Sequence, residues 1–278
     1  MNNFFLLQKT HTICSKQNSQ VKELQKIIFS NKYRHTKKLL WIEGKKLCES
    51  YFQNIKNPKK ITFVFDASTN KDNIRMFLKE NIGIDINFIC LKSDLFREIS
   101  QIENSSGWGI IVQFPKIQTK RMSMDDLIIL DGIQDPGNLG NIIRTSAAAG
   151  IVNIWLTNGT TDPFSPKVLR AGSGGQFLIK FSFFSDLKEI LKRHEITQMQ
   201  VLATELKGES INLFHKKVDL RHKCAWVFGS EGMGLSQELV KKNKLLSLKV
   251  PHSKKIDSLN VASAVAICLF EMKRQRSM

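Results

Sequence analysis

The chain has 278 residues, 42% of them hydrophobic, which is enough for one large domain or two modest ones. Its 42 basic residues against 25 acidic ones give a net charge of +17 and favour a polyanionic partner such as nucleic acid. Residues 1–120 carry 20 basic and 10 acidic side chains, and the longer remainder carries 22 and 15, so the excess is denser near the amino terminus. A generally lysine-rich surface would give the same balance, so charge alone does not decide.

The apolar run from Phe4 to Leu7 is too short for a signal peptide, and no other stretch approaches the length of a membrane span. Five cysteines are scattered, odd in number and without a C-x-x-C pair, which favours free, buried thiols in a reducing cytosol. The six histidines lack the spacing of metal ligands. We therefore expect a cytoplasmic protein without a metal or a membrane partner.

The amino-terminal part alternates between helical and extended patterns. The predicted elements are a helix at Val21–Phe29, a strand at Ile61–Asp66, a helix at Asn73–Glu80, an extended segment at Ile86–Cys90 and a strand at Gly109–Phe114. This alternation predicts a small α/β domain over residues 1–115. Residues 116–124 are basic and lack apolar periodicity, so we expect a linker there.

From residue 125 to residue 278, short apolar strands alternate with helices. The strands are predicted at Leu127–Leu130, Val152–Leu156, Gln200–Thr204, Trp226–Phe228 and Leu246–Val250. Such alternation predicts an α/β domain with a mostly parallel sheet that is covered by helices on both faces.

The first of these strands leads into a turn-rich loop, Asp135-Pro136-Gly137-Asn138-Leu139-Gly140-Asn141, and then into a helix that stops at Gly150. Ligands of α/β sheets bind at the carboxyl ends of the strands, so Asn138 and Arg144 lie where chemistry is expected. If the helix starts at Asn138, the side chains of Asn138, Asn141 and Arg144 share one rim.

A second strand, Trp226–Phe228, runs into the glycine-rich turn Gly229-Ser230-Glu231-Gly232-Met233-Gly234. Glycine allows positive φ and a close approach of the backbone to a ligand. Ser236 is a predicted helix cap, with Glu238 in the first turn that follows. Alone this turn is a weak signal, and without a G-x-G-x-x-G or G-K-[ST] motif it gives little support to a nucleotide site of those kinds.

A third segment follows Val250, where a polar turn leads directly into a helix of small and apolar residues such as Val261, Ala262 and Val265. That helix has no polar face, so we expect it in a core or against another subunit. Asp257 or Ser258 is the expected cap. A capped core helix without further function is an equally good interpretation of this segment alone.

Together, the three segments resemble the motifs of the SpoU (TrmH-like) family of SPOUT RNA methyltransferases. The resemblance is carried by the loop 135–141 with Arg144, by Phe228-Gly229-Ser230-Glu231-Gly232, by Val250-Pro251 and by Ser258-Leu259-Asn260. Residues 165–171 are also similar to the family, and Asn31-Lys32-Tyr33-Arg34 and Trp41-Ile42-Glu43-Gly44 resemble its ribosomal-protein-like amino-terminal RNA-binding domain. The resemblance implies a trefoil-knotted SPOUT sheet over residues 125–278 and a homodimer formed through that knotted domain.

The family resemblance implies transfer of a methyl group from S-adenosyl-L-methionine to a ribose 2′-hydroxyl of RNA. It implies that the methyl donor is held largely by backbone groups at the positions of Gly229, Val250 and Leu259, and that Thr204 and Phe228 border the same pocket. Arg144 matches an arginine that acts either as general base or as a clamp on the neighbouring phosphate. The remaining positions that match the family's catalytic set are Asn138, Glu231, Ser258 and Asn260.

One position departs from the family pattern. The family usually has a glycine four residues after the Ile or Val of its third motif, and here that position, counted from Val250, is Lys254. If that glycine gave the backbone an unusual φ, a lysine there would strain or reshape the donor-binding loop. Three functions stay open: methylation of ribosomal RNA, which the basic amino-terminal domain favours, methylation of transfer RNA, and non-catalytic RNA binding.

Overall fold

A computed structural model describes residues 3–55, 58, 60–80, 85–115, 126–204, 210–230 and 234–277. The first half of the chain contains α1 (Asn3–Lys9), β1 (Thr12–Ile13), α2 (Ser19–Phe29), α3 (Asn31–Lys37), β2 (Leu39–Glu43), α4 (Lys45–Asn54), β3 (Lys60–Asp66), α5 (Lys71–Glu80), β4 (Asp85–Leu91), α6 (Ser93–Ile99) and β5 (Trp108–Gln113).

The second half contains β6 (Leu127–Asp131), α7 (Pro136–Ala149), β7 (Asn153–Thr157), α8 (Pro166–Gly172), a 3-10 turn (Gly175–Phe177), β8 (Lys180–Phe184), α9 (Leu187–Leu191), α10 (His194–Thr197), β9 (Gln200–Thr204), β10 (Ile211–Asn212), β11 (Cys224–Gly229), α11 (Gln237–Lys242), β12 (Leu246–Lys249) and α12 (Val261–Arg276). Every strand and helix predicted from the sequence is present, with bounds that differ by at most two residues. No helix within the described residues is long and apolar enough to span a bilayer.

The chain forms two compact units, and the first comprises residues 1–116 together with residues 164–177. Its five strands lie in the order β1-β4-β3-β5-β2, with β5 antiparallel to both of its neighbours. Apolar side chains of α2 and α6 pack against this sheet, including Leu24, Ile28 and Phe96. The predicted α/β domain of residues 1–115 thus gains α8 from later in the chain, whereas the predicted linker 116–124 lies outside the described residues.

Two residues of the amino-terminal segments that resemble the family stabilise this unit from within. Arg34 is buried, and its Nη1 donates to the carbonyls of Ile27 and Ile28 at 3.2 and 2.9 Å, at the end of α2. Glu43 is also buried, and its carboxylate accepts from the Ser105 hydroxyl at 2.9 Å and from the Gln101 amide at 3.1 Å. The guanidinium of Arg34 and the carboxylate of Glu43 are therefore hydrogen-bonded to backbone and loop groups, which offsets the cost of burying their charges.

The second unit, residues 117–163 and 178–278, is built on a seven-stranded sheet in the order β10-β12-β9-β11-β6-β7-β8. All its neighbouring strands run parallel, which confirms the predicted parallel sheet. Strand side chains such as Ile129 and Val227 pack with α9, α10 and α11 on one face. On the other face α7 packs against α12, and the Trp226 indole donates to the Met272 sulfur at 3.4 Å. Helices thus cover both faces, as expected.

All five cysteines are free, and all except Cys14 are buried. Burial raises the pKa of the Cys224 thiol to about 12 and also raises that of Cys268 on α12. The prediction of buried free thiols is therefore correct for four positions and wrong for Cys14, which lies exposed just after the short edge strand β1. No group of histidine, cysteine or acidic side chains in the described part of the chain could hold a metal ion.

Candidate active site

Three loops meet at one edge of the seven-stranded sheet because its strands are parallel and the loops follow the carboxyl ends of β6, β11 and β12. From β6 the chain moves to β7 on one side, whereas from β11 it moves to β12 on the other side. The direction of winding therefore reverses between β6 and β11, where the Asp131 backbone lies opposite Gly229. Ligands of open α/β sheets bind at such reversal points.

The first loop is shaped by the cap of α7. Asp135 is the N-cap, and its Oδ1 accepts from the Asn138 amide at 2.7 Å, with Pro136 at the first helical position. The helix therefore begins two residues before Asn138, which lies in its first turn. At the other end Gly150 has φ 88° and stops the helix, as predicted.

Asn138 contacts the third loop directly. The Asn260 Nδ2 donates to the Asn138 Oδ1 at 2.8 Å, although the two residues lie 122 positions apart. The Oδ1 of Asn260 accepts from the amides of Ala262 and Ser263 at 2.9 and 3.4 Å, so Asn260 is the N-cap of α12. The prediction that Asp257 or Ser258 caps this helix is wrong, because the first helical turn starts at Val261 and both of those residues are exposed before it.

Arg144 lies on the exposed side of α7, about 9 Å along the helix axis from Asn138. Its neighbours on the opposite side, Ile142, Ile143 and Ser146, are buried. Within the described part of the chain, no carboxylate or carbonyl pairs with the Arg144 guanidinium. The guanidinium is therefore accessible to an anion from solvent.

The second loop explains why Gly229 is glycine. A Cβ at this position would lie 2.4 Å from the Gly234 carbonyl carbon and 2.7 Å from the Leu235 nitrogen. The chain returns there because the Gly234 amide donates to the Ser230 carbonyl at 2.9 Å. Positive φ, expected for glycines of this turn, occurs at Gly234 (64°) and not at Gly229. Glu231 lies outside the described residues.

The residues predicted to surround the methyl donor lie at the ends of adjacent strands. Phe228, the next-to-last residue of β11, is fully buried, and Thr204 is half-buried at the end of β9. Val250 directly follows β12 and is 8% exposed. The Val250 carbonyl lies 2.8 Å from the His252 Nδ1, and Leu259 is half-buried at the far end of the same loop. Apolar side chains beside backbone polar groups fit the adenosine part of such a donor.

Ser236 caps α11, and its Oγ accepts from the Leu239 amide at 3.5 Å, as predicted from the sequence. Lys254 does not have positive φ. It lies in a turn where Ser253 accepts hydrogen bonds from the Lys255 and Ile256 amides. The expected strain at Lys254 is therefore absent.

That the side chains of Asp131, Thr157 and Thr160 support the site was not predicted from the sequence. The Thr157 hydroxyl donates to the Asp131 carboxylate at 2.7 Å, and the Thr160 hydroxyl accepts from the Gly132 amide at 3.1 Å. These bonds hold the start of the first loop against the loop that follows β7. These residues could have been found because polar residues at the carboxyl end of a buried parallel strand, here β7, are expected at the ligand-binding edge of such a sheet.

A model of the SpoU rRNA methylase family matches residues 126–270, which include all three loops. The chain belongs to this family. An uncharacterised tRNA/rRNA methyltransferase of Synechocystis is 37% identical over 149 residues, 54% of this chain and 53% of that protein, so this chain aligns with about half of that relative. This SpoU family member is also 27% identical to the 23S rRNA (guanosine(2553)-2′-O)-methyltransferase RlmP of Bacillus subtilis over 268 residues, 93% of this chain and 98% of RlmP.

The fold agrees with this assignment. The crystal structure of an AdoMet-bound rRNA methyltransferase from Sinorhizobium meliloti superposes with a TM-score of 0.79, at 26% identity, over 95% of this chain and 98% of that one. The similarity therefore extends over both units. The bond between Asn138 and Asn260 joins the first and third of the loops that carry the family motifs.

Proposed function

We propose that this protein transfers a methyl group from S-adenosyl-L-methionine to a ribose 2′-hydroxyl of RNA, with ribosomal RNA as the favoured substrate. The observation that carries the proposal is the hydrogen bond from Asn260 to Asn138, which links two family motifs at the reversal point of the sheet. Family membership and the resemblance to a 23S rRNA 2′-O-methyltransferase over nearly the full chain support it.

The backbone around Gly229, Val250 and Leu259 would hold the donor, with Thr204 and Phe228 beside it. When bound, S-adenosyl-L-methionine supplies an electrophilic methyl group on a sulfonium sulfur. Half-buried Thr204 and Leu259 and buried Val250 and Phe228 lie beside backbone polar groups, which suits its uncharged adenosine part, so the residues present fit the donor.

The protein's main contribution is to align the ribose hydroxyl, since orientation supplies about 7–11 kcal/mol of the barrier in such transfers. Arg144 clamps the phosphate next to the target ribose through its planar guanidinium, because an arginine side chain keeps its proton at physiological pH and is a poor base. Asn138 and Asn260 hold the helix that carries Arg144 against the third loop. Ser258 is exposed at the rim of this loop and contacts the ribose or the donor, and we assign Glu231 to the same set.

The amino-terminal residues 1–115 form the RNA substrate-binding domain in this proposal, since the basic excess is denser there. The second unit carries the trefoil knot and forms a homodimer. Its helix α12 supports the dimer, because Phe270 is 47% exposed and Ala264, Ala266 and Ile267 are half-buried in the stretch from Val261 to Phe270, whose one exposed polar residue is Ser263. An RNA-modifying enzyme with free thiols belongs in the reducing cytoplasm.

The test is transfer of tritiated methyl from S-adenosyl-L-methionine to separated ribosomal and transfer RNA that lack modifications. The wild type is compared with Arg144→Ala and with Arg193→Ala, which removes an exposed arginine from the turn between α9 and α10. We expect label in ribosomal RNA with the wild type and Arg193→Ala and none with Arg144→Ala. Label in transfer RNA alone would identify transfer RNA as the substrate. RNA binding without any methyl transfer would indicate a non-catalytic protein.

A further inference from the structure

A second surface lies at the carboxyl edge of the same sheet, beside the third loop. The edge strand β10 is parallel to β12, with Ile211 opposite Leu248 and Asn212 opposite Lys249. The Leu213 amide donates to the Lys249 carbonyl at 2.9 Å. Because β10 is parallel to the rest of the sheet, the turn of residues 213–218 emerges at the same edge as the three loops of the candidate active site.

The turn is held by its own hydrogen bonds and presents an aromatic ring to solvent. Leu213 and Val218 are buried at its two ends. Between them, the Phe214 amide donates to the Asn212 Oδ1 and the Val218 amide to the His215 carbonyl, both at 2.9 Å. The Phe214 side chain is nevertheless 54% exposed. A large aromatic ring that is open to solvent on a hydrogen-bonded turn can stack on a partner.

Lysine side chains lie in the same turn as this ring and on the neighbouring strand. His215, Lys216 and Lys217 are exposed in the same turn, and Lys249 is exposed on the neighbouring strand. We call Phe214, His215, Lys216, Lys217 and Lys249 the basic aromatic edge. Residues 210–218 and 249–256 contain no acidic side chain, and the latter range adds Lys254 and Lys255. The nearby Asp219 carboxylate is paired with Arg221 at 2.8 Å.

The following stretch is anchored as firmly as the turn. The Leu220 amide donates to the Gln275 Oε1 and the Arg276 Nε to the Leu220 carbonyl, each at 2.9 Å, so the end of α12 fixes the chain behind the turn. The chain behind the basic aromatic edge is thus hydrogen-bonded to α12, in the same unit as the candidate active site.

We propose that the basic aromatic edge binds the single-stranded RNA next to the target nucleotide. Phe214 stacks on one base, and the lysines contact the phosphates on either side. Stacking platforms combined with positive grooves are the usual way in which proteins hold unpaired RNA. A protein partner fits less well, because lysine is depleted at protein–protein interfaces. This inference rests on the proposed function for its substrate class, and it adds a site that lies outside the three family motifs.

The first test uses the full chain and measures the affinity for a fluorescein-labelled, unstructured 20-nucleotide RNA of mixed sequence. Phe214→Ala is compared with Phe183→Ala, since Phe183 is 50% exposed on β8 at the opposite edge of the same sheet. We expect Phe214→Ala to weaken RNA binding by about 5- to 100-fold, and Phe214→Tyr and Phe183→Ala to leave it within twofold. With unmodified ribosomal RNA as substrate, Phe214→Ala raises the KM for RNA, while kcat and the affinity for S-adenosyl-L-methionine stay unchanged.

The second test concerns the lysines. Lys216→Ala combined with Lys217→Ala makes the negative slope of log K against log salt shallower by about 1.4, because each phosphate contact contributes about −0.7 for single strands. The matched control replaces Lys188 and Lys192, which are exposed on and just after α9. We expect an unchanged slope for that control.

The outcomes separate this inference from the proposed function. If the wild type methylates RNA and both Phe214→Ala and the double lysine variant keep full RNA affinity, the basic aromatic edge is refuted and the function stands. If the wild type transfers no methyl group but Phe214→Ala loses RNA affinity, the edge stands and the function is refuted. A smaller oligomer for Phe214→Ala in light scattering, with unchanged RNA affinity, would identify a protein interface and overturn the inference.

Discussion

Asn260 performs two tasks with one carboxamide. Its oxygen caps α12 and its nitrogen donates to Asn138, so the start of α12 and the first turn of α7 are held together. An aspartate has only acceptor oxygens, whereas an alanine has neither function. The two tasks can therefore be separated by substitution.

Asn260→Ala should lower the free energy of unfolding by about 1 kcal/mol, because the cap is lost. Asn260→Asp keeps the cap and suits the positive end of the helix, so its stability should lie within about 0.5 kcal/mol of the wild type. Both variants should lose most of their methyl transfer, since the link to Asn138 is broken. Urea denaturation and transfer assays check this, and full activity of Asn260→Asp would disprove a role for the link.

Arg144 is exposed, so its replacement should act on activity and not on stability. Arg144→Lys keeps the charge but loses the bidentate fork, and we expect kcat to fall by about 100-fold, the size seen when one group that stabilises developing charge is removed. The free energy of unfolding, measured by thermal denaturation, should change by less than about 0.5 kcal/mol. An Arg144→Lys variant with nearly normal kcat would contradict the phosphate clamp.

At the scale of elements, the second loop depends on the close approach of two stretches of backbone. Gly229→Ala places a methyl group against Gly234 and should reduce stability by about 1–3 kcal/mol and weaken binding of S-adenosyl-L-methionine. Gly150→Ala is the matched control, because Gly150 has positive φ and open space around it. This variant should lower the free energy of unfolding by about 1 kcal/mol without changing the affinity for S-adenosyl-L-methionine. Calorimetry of donor binding by the two variants distinguishes them, and equal affinities would argue against the loop as a donor site.

The same elements show how far sequence reasoning extends. Buried parallel strands such as β6 and β11 were predicted because they are short apolar runs that end in glycine-rich or polar turns. The short edge strand β10 was missed because two residues give no periodicity. The cap of α12 was assigned wrongly because several capping residues precede Val261, and local sequence does not show where the first helical turn closes.

At the scale of the whole molecule, burial should control thiol reactivity. Only Cys14 is exposed, while the raised pKa of Cys224, about 12, leaves almost no thiolate at pH 8. We therefore expect one thiol to react rapidly with DTNB in the native protein and all five to react in guanidinium chloride. A Cys14→Ser variant should lose the rapid phase. Rapid reaction of any further thiol in the native protein would contradict the burial of the other four cysteines.

Long-range contacts mark the limit of prediction for the site. The family resemblance placed Asn138, Arg144 and Asn260 among the functional residues, but nothing in the sequence showed that Asn138 and Asn260 bond across 122 positions. Nor did it show that residues 164–177 pack with the amino-terminal unit. Both depend on how the chain returns through space, which local patterns do not encode.

The most direct test of the central claim is the position of the transferred methyl group. Ribosomal RNA labelled by the wild-type protein is hydrolysed in alkali, which cleaves every linkage that follows a free 2′-hydroxyl. We predict that the tritium stays in alkali-resistant dinucleotides from one site and is absent when Asn260→Asp replaces the wild type. Tritium in mononucleotides would show methylation of a base and would contradict the account.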